Sequence, residues 1–276
     1  MLLALASAIV YGVADYCGGR ATRSASAFAV TACGQAVSLL LLLLVLPVLG
    51  DPVPPLGDWG WGAGAGVAGA TGLLCFYHAL SRGAMSVVAP TTAVVSVSIP
   101  VAVGLILGER PGAMALVGIV VAMIAIVLVS GAVMPAAHPT PRPIIWLAVL
   151  GGVGFGLIFV FLDRTSDDSG LWPLLAARVA SVPVVVVAAL ALRQPLRLPG
   201  PAVAITLASG VLDMSANVLY LLATREGLLT VVAVVTALYP VSTVALAFGI
   251  DRERVTRSQA AGMAMAVAAL AMVSLG

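Results

Sequence analysis

The sequence predicts an all-α integral membrane protein of ten transmembrane helices, arranged as two inverted five-helix repeats. Three observations carry this reading. Hydrophobic residues make up 62% of the 276, charged residues only 9%, and the mean hydropathy is +1.17. A soluble domain carries about 25% charged residues, so this chain cannot coat itself for water and a water-soluble enzyme is excluded. Second, an apolar run of about 20 residues crosses the hydrocarbon core, and ten such runs follow one another with short connections. Third, the chain repeats itself at an offset of 144 residues.

The spans lie between charged or Pro/Gly-rich breaks, at 2–19, 27–49, 59–80, 86–108, 112–134, 144–162, 171–192, 201–223, 229–250 and 257–275. Unbroken apolar runs of this length suit helices, which satisfy their own backbone in lipid, rather than the alternating strands of a barrel. The first run has no basic region before it and continues toward Arg20, so it reads as a retained span rather than a cleaved signal. The third carries Gly62 and Gly66 at the GxxxG spacing that lets helices pack closely. Pro90 and Pro100 mark the fourth and Pro240 the ninth, where each is expected to bend the helix. The tract His138-Pro-Thr-Pro-Arg-Pro143 reads as a semi-rigid linker. The expected organisation is therefore a first repeat at 1–131, a linker at 132–143 and a second repeat at 144–276.

Gly72–Ser130 aligns without a gap on Ala216–Ser274, with 17 identities in 59 positions. An unchanged offset and the shared charged pair, Glu109-Arg110 over Glu253-Arg254, outweigh chance matches in a chain rich in Ala, Val and Leu. Each copy has an odd number of spans, so the second enters the membrane from the opposite side. Inverted repeats are a signature of secondary transporters, in which one half rocks against the other around a midplane site.

Polar groups within the spans are the candidate site, because a charge at a helix centre costs about 2.5–3.5 kcal/mol on insertion scales. Asp213 is central in the eighth span, and Ser209, Asp213, Asn217 and Tyr220 share one helical face. Ser7, Tyr11 and Asp15 make a similar ladder in the first span, and Thr31, Gln35 and Ser38 in the second. Each ladder reads either as a cavity lining or as a polar seam tying two helices together. Asp15, five residues before Arg20, has a third option in pairing with that arginine. Arg178, seven residues into the seventh span, either neutralises a buried acid such as Asp213 or Asp15 or meets an anionic ligand. His78, near the end of the third span, titrates near neutral pH when unperturbed. Substrate- or proton-binding candidates are thus Asp15, Asp213, Arg178 and Asn217, with Tyr11, Gln35, His78 and Tyr220 as cavity-lining candidates. Cys17, Cys33 and Cys75 stand singly in apolar surroundings and read as packing residues. No spacing suggests a metal site, a cofactor or a catalytic centre. A net charge of +2 gives no field for nucleic acid.

These residues resemble the EamA-type branch of the drug/metabolite transporter superfamily over essentially the full length. The resemblance rests on Tyr11-Gly-Val-Ala-Asp15-Tyr-Cys-Gly-Gly19, on Met85-Ser-Val-Val-Ala-Pro90, on Gly108-Glu-Arg-Pro111, and on Asp213 through Gly227 with its Asn-Val-Leu-Tyr core. It implies alternating access around a central cavity built largely from the first four helices of each half, and both termini in the cytoplasm. Arg252 stands where the first half has Gly108, a departure from the family's pattern. The arginines argue the other way on orientation. Nine of them (20, 23, 82, 142, 193, 197, 252, 254 and 257) fall on the end opposite the termini and three (110, 164 and 225) on the terminal end, which favours termini outside. The family topology is preferred here.

The expected function is a secondary active transporter of a small organic solute in the cytoplasmic membrane, coupled to protons through Asp213 or Asp15. Its partners are the solute and membrane lipid. Two readings from other classes are an integral-membrane lipid-modifying enzyme and a non-transporting membrane subunit. With two histidines and no metal-binding cluster, the enzyme lacks its converging groups.

Overall fold

Every described segment with regular structure is helical. A computed structural model describes residues 1–130, 140–252 and 255–275, and of Met85 and Ser86 the backbone alone. Most of the proposed linker and the Glu253-Arg254 pair lie outside the described residues. The helices are α1 (Leu2–Ala21), α2 (Ala27–Leu49), α3 (Leu56–Arg82), α4 (Met85–Ile106), α5 (Ala113–Val129), α6 (Arg142–Asp163), α7 (Trp172–Ala191), α8 (Gly200–Thr224), α9 (Leu229–Thr236), α10 (Tyr239–Asp251) and α11 (Arg257–Leu275), with a 3-10 turn at Asp167–Ser169. Among the described residues, nine segments are long and apolar enough to cross a membrane, counting α9 and α10 as one. The tenth apolar helix, α5, has 17 residues, or about 26 Å at 1.5 Å per residue. Large apolar side chains such as Leu44, Val48, Trp146, Val187 and Val267 point outward, which is the surface a bilayer requires. The chain is a multi-pass membrane protein.

The ninth span departs from expectation. It is not bent but interrupted, α9 ending at Thr236 and α10 starting at Tyr239. Pro240 has no N–H for the Thr236 carbonyl and its ring crowds that group. The chain instead tightens through Leu238 N to Val235 O, 3.2 Å. Proline alone does not decide this, since α4 runs on through Pro90 and Pro100.

Neighbouring helices are held by close backbone approach. A Cβ on Gly66 would collide with the Ala177 carbonyl, and one on Gly62 with Pro173, so the GxxxG face of α3 fits α7. The partners come in exchanged sets. Helix α1 packs on α8 and α10, whereas α6 packs on α3 and α4. Helix α5 packs antiparallel on α11: a Cβ on Gly118 would lie 2.7 Å from Val273 Cγ2, and one on Gly262 would lie 2.8 Å from Val129 Cγ2.

Loops clamp the two ends. At the end holding the termini, Glu109 accepts from Leu229 N (2.7 Å) and Thr230 N (2.9 Å), capping α9. Buried Asp58 accepts from Ser166 N at 2.9 Å and from its hydroxyl. Arg225 donates to Gly170 O at 2.7 Å. Burial pulls the Arg225 guanidinium below arginine's usual pKa, against the opposing pull of Asp167 and Asp51. At the opposite end Arg20 pairs with Asp251 at 2.6 Å and Arg23 pairs with it at 3.2 Å, joining α1 to α10.

Candidate functional site

The polar ladders divide between two roles. Their outer hydroxyls form seams: Ser7 donates to Ala216 O (2.8 Å), Ser209 to Ala14 O (2.9 Å) and Ser38 to Gly210 O (2.8 Å). Such interhelical bonds are worth about 0.6 kcal/mol on average. They lock α8 against α1 and α2 in register, and that register brings the middle rungs, Tyr11, Asp15 and Asp213, together.

Arg178 on α7 donates from Nη2 to Asp213 Oδ2 on α8 at 2.5 Å. Asn217, one turn on, donates its amide to the Asp213 carbonyl at 2.8 Å and to Oδ2 at 3.3 Å, fixing the carboxylate. Of the two partners weighed for Arg178, the structure pairs it with Asp213. Asp15 lies within electrostatic range of Asp213, and Tyr11 within range of Asp15, Arg178 and Asp213. Asp15 does not pair with Arg20, which is held by Asp251 and by the Tyr16 hydroxyl at 2.9 Å.

Two residues that sequence reasoning passed over complete the group. Tyr77 on α3 lies edge-on to Phe28, with ring centroids 6.3 Å apart. Tyr239, at the break in the ninth span, tilts against Tyr11 at 6.2 Å, and Tyr11 stands one turn before Asp15 on α1. The signals were present: Tyr77 adjoins His78, and Tyr239 precedes Pro240. A chain interruption at membrane depth is tolerated where it faces protein or a wet cavity.

The two carboxylates decide what kind of interior this is. Groups on α1, α3, α7, α8 and α10 converge here. Yet Asp15 is exposed, and the Asp213 side chain keeps 38% of its accessible surface against 13% for Arg178. Charges in transmembrane segments belong at the bundle interior or at a water-filled cavity.

The remaining candidates are placed differently. Tyr220 is fully buried, donates to Phe159 O at 3.0 Å and lies tilted against the Phe159 ring, centroids 4.6 Å apart, so it is a core residue and lines nothing. Gln35 is half-buried, its Oε1 without a partner among the described residues. His78 is exposed near the end of α3, whereas Tyr77 beside it is half-buried against Phe28. The three cysteines are free thiols. Two recesses of 340 and 810 Å³ lie nearer the terminal end, around Asp51, Trp172 and Arg225, and include none of the central group.

Comparison with known proteins sets this geometry in context. A solved crystal structure, described only as that of a protein, superposes with a TM-score of 0.82 at 16% identity, covering 99% of this chain and 96% of its own. At that identity the likeness speaks for the fold. No curated protein sequence matches the chain. The model of the EamA-like transporter family matches residues 1–131 and 142–275, on both sides of the proposed linker. With so little of the sequence left unmatched, the chain belongs to the EamA-like transporter family.

Proposed function

We propose that the chain is a secondary active transporter, moving a small organic solute across the cytoplasmic membrane by alternating access between two inverted five-helix repeats, 1–131 and 144–276. The observation that carries the reading is the pair of accessible carboxylates, Asp15 and Asp213, where five helices meet. A structural subunit has no reason to maintain two solvated acids there at the cost of insertion.

Exchanged contacts support the inverted repeat. Adding 144 turns Gly118 into Gly262 and Val129 into Val273, and the two glycine–valine contacts between α5 and α11 interchange under that operation. A head-to-head contact of equivalent segments running antiparallel is what an in-plane two-fold axis produces. The halves meet through glycine-lined surfaces and end clamps, Glu109 to α9 at one end and Arg20–Asp251 at the other. Opening one end requires releasing its clamp while the other holds.

Coupling is assigned to the acids. Either Asp15 or Asp213 takes up a proton on one side and releases it on the other, with Arg178 the ion-pair partner of Asp213. Proteoliposome flux under an imposed pH gradient tests this. Asp15→Asn or Asp213→Asn is expected to abolish gradient-driven accumulation while leaving slow downhill exchange. Full accumulation in both variants would remove the two acids from the coupling, and downhill exchange alone in the parent would leave facilitated diffusion as the mechanism.

A further inference from the structure

We propose that the recess between α2 and α8 at the terminal end holds a membrane phospholipid with an ethanolamine headgroup. The acyl chains lie against the two helices, and the headgroup sits between Arg225 and the acids Asp51, Asp167 and Asp168. The recess is on the outer side of the bundle, away from Asp15 and Asp213, so the assignment stands apart from the carrier reading.

Helices α2 and α8 touch where Ser38 donates to Gly210 O at 2.8 Å and where a Cβ on Gly210 would lie 2.6 Å from the Gly34 carbonyl oxygen. Both run from there toward the terminal end, and a space of 810 Å³ opens between them. Small-ligand sites occupy about 300–1,000 Å³. The apolar walls are Val45 and Leu49 on α2 and Val218 and Leu222 on α8. Val218 lies about 140° round the helix from Asp213. With Leu222 it continues the outward face of Leu207 and Val211, each 41% exposed. The recess therefore opens toward the acyl chains of the bilayer. Trp59, Trp61 and Trp172, three of the four tryptophans, stand at this end, and tryptophan is enriched at headgroup level.

The rim selects the headgroup. Arg225 spends Nη2 on Gly170 O (2.7 Å) and Ser169 Oγ (3.1 Å), while its Nε and Nη1 have no partner among the described residues. Guanidinium donors suit a phosphate. Asp51, Asp167 and Asp168 line the same recess and act on Arg225 electrostatically, yet none forms an ion pair with it among the described residues. An anionic lipid would satisfy the guanidinium and be repelled by the three acids. A zwitterionic headgroup carries both charges two methylenes apart, a phosphate for Arg225 and an ammonium for a carboxylate. That ammonium is primary, because its N–H groups donate to carboxylates. A quaternary ammonium is recognised by aromatic faces, and the described lining contains no aromatic ring. Leu49 and Asp51 belong to the first half of the chain and Arg225 and Leu222 to the second, so the lipid bridges the halves.

The test is native mass spectrometry of the purified full-length chain, titrated with palmitoyl-oleoyl phosphatidylethanolamine, phosphatidylcholine and phosphatidylglycerol, which share their acyl chains. One ethanolamine lipid is expected to bind at least about fivefold more tightly than either of the others. Asp167 and Asp168 are exposed, so the double variant Asp167→Asn, Asp168→Asn should fold, and it should bring the three lipids within about twofold of one another. Leu222→Trp, which fills the recess from its lipid side, should weaken ethanolamine-lipid binding about tenfold. Soluble glycerophosphoethanolamine lacks the chains and should not displace the lipid at equal concentration. Equal retention of the three lipids would mean a non-specific annulus and overturn the proposal. Preferential binding of phosphatidylglycerol, an unchanged preference in the double variant, or unchanged binding in Leu222→Trp would overturn it too. Displacement by glycerophosphoethanolamine would replace the lipid with a free headgroup ligand, and the proposal would fail on that result as well.

Discussion

At the scale of single residues, Arg178 and Asp213 are each other's justification. Fully buried pairs lose about 3–5 kcal/mol when one partner is removed, but the Asp213 side chain is 38% exposed, so water covers part of the loss. Arg178→Met should therefore destabilise the detergent-solubilised protein by about 1–3 kcal/mol. Arg178→Met with Asp213→Leu should recover most of that. Thermal unfolding of the two single variants and the double variant checks it, and additive losses would mean that the pair carries no coupling. The sequence already put Ser209, Asp213, Asn217 and Tyr220 on one face, and the face exists. What it could not say is that a helical face seen from several neighbours has several fates. Ser209 went to a seam and Tyr220 to the core against Phe159, while Asp213 kept a solvated surface. The same limit explains His78 and Tyr77: adjacent residues on a helix point about 100° apart, and only the neighbouring helices show that His78 is exposed while Tyr77 packs on Phe28.

At the scale of elements, the ninth span is the instructive one. Its hydropathy and its proline were both legible, yet a bend was expected and an interruption is present. Whether a proline bends or breaks a helix depends on whether its neighbours re-satisfy the freed carbonyls, which is a property of packing. In the sequence Glu109 stands out as half of a charged pair shared by the two repeats; in the structure its carboxylate caps α9 of the other half. An acceptor at a helix N-terminus satisfies orphan amides and opposes the helix dipole. Glu109→Ala should cost about 1–2 kcal/mol, with Glu109→Gln keeping part of that through its remaining acceptor. The change should appear as lower thermal stability together with faster amide hydrogen exchange at Leu229 and Thr230. Unaltered exchange there would remove the cap from the account.

At the scale of the whole molecule, charge is sorted by end. All the described arginines of the end opposite the termini are exposed: 20, 23, 82, 142, 193, 197, 252 and 257. The terminal end gathers acids instead, with Asp51, Asp58, Glu109, Asp163, Asp167, Asp168 and Glu226 against three arginines. Basic loops are retained in the cytoplasm during insertion, so the arginine end is predicted to be cytoplasmic and the termini to lie outside. This is the reverse of what family resemblance implied. A C-terminal alkaline phosphatase fusion should be active and a C-terminal green fluorescent protein fusion dark; the opposite result would restore the family orientation.

The sequence by itself determined the solvent of this protein, its helical class, the order of its spans and the 144-residue repeat, because hydropathy and internal similarity are properties of the chain read in one dimension. It also fixed which polar groups had to be accounted for, since each is expensive in lipid wherever it points. Tertiary structure alone decided which of those groups share a cavity. That choice depends on rotation and register, set by glycine contacts such as Gly66 on Ala177 and by hydroxyl seams such as Ser7 on Ala216. A rotation of one residue position would carry Asp213 away from Arg178 while leaving every feature of the linear pattern unchanged.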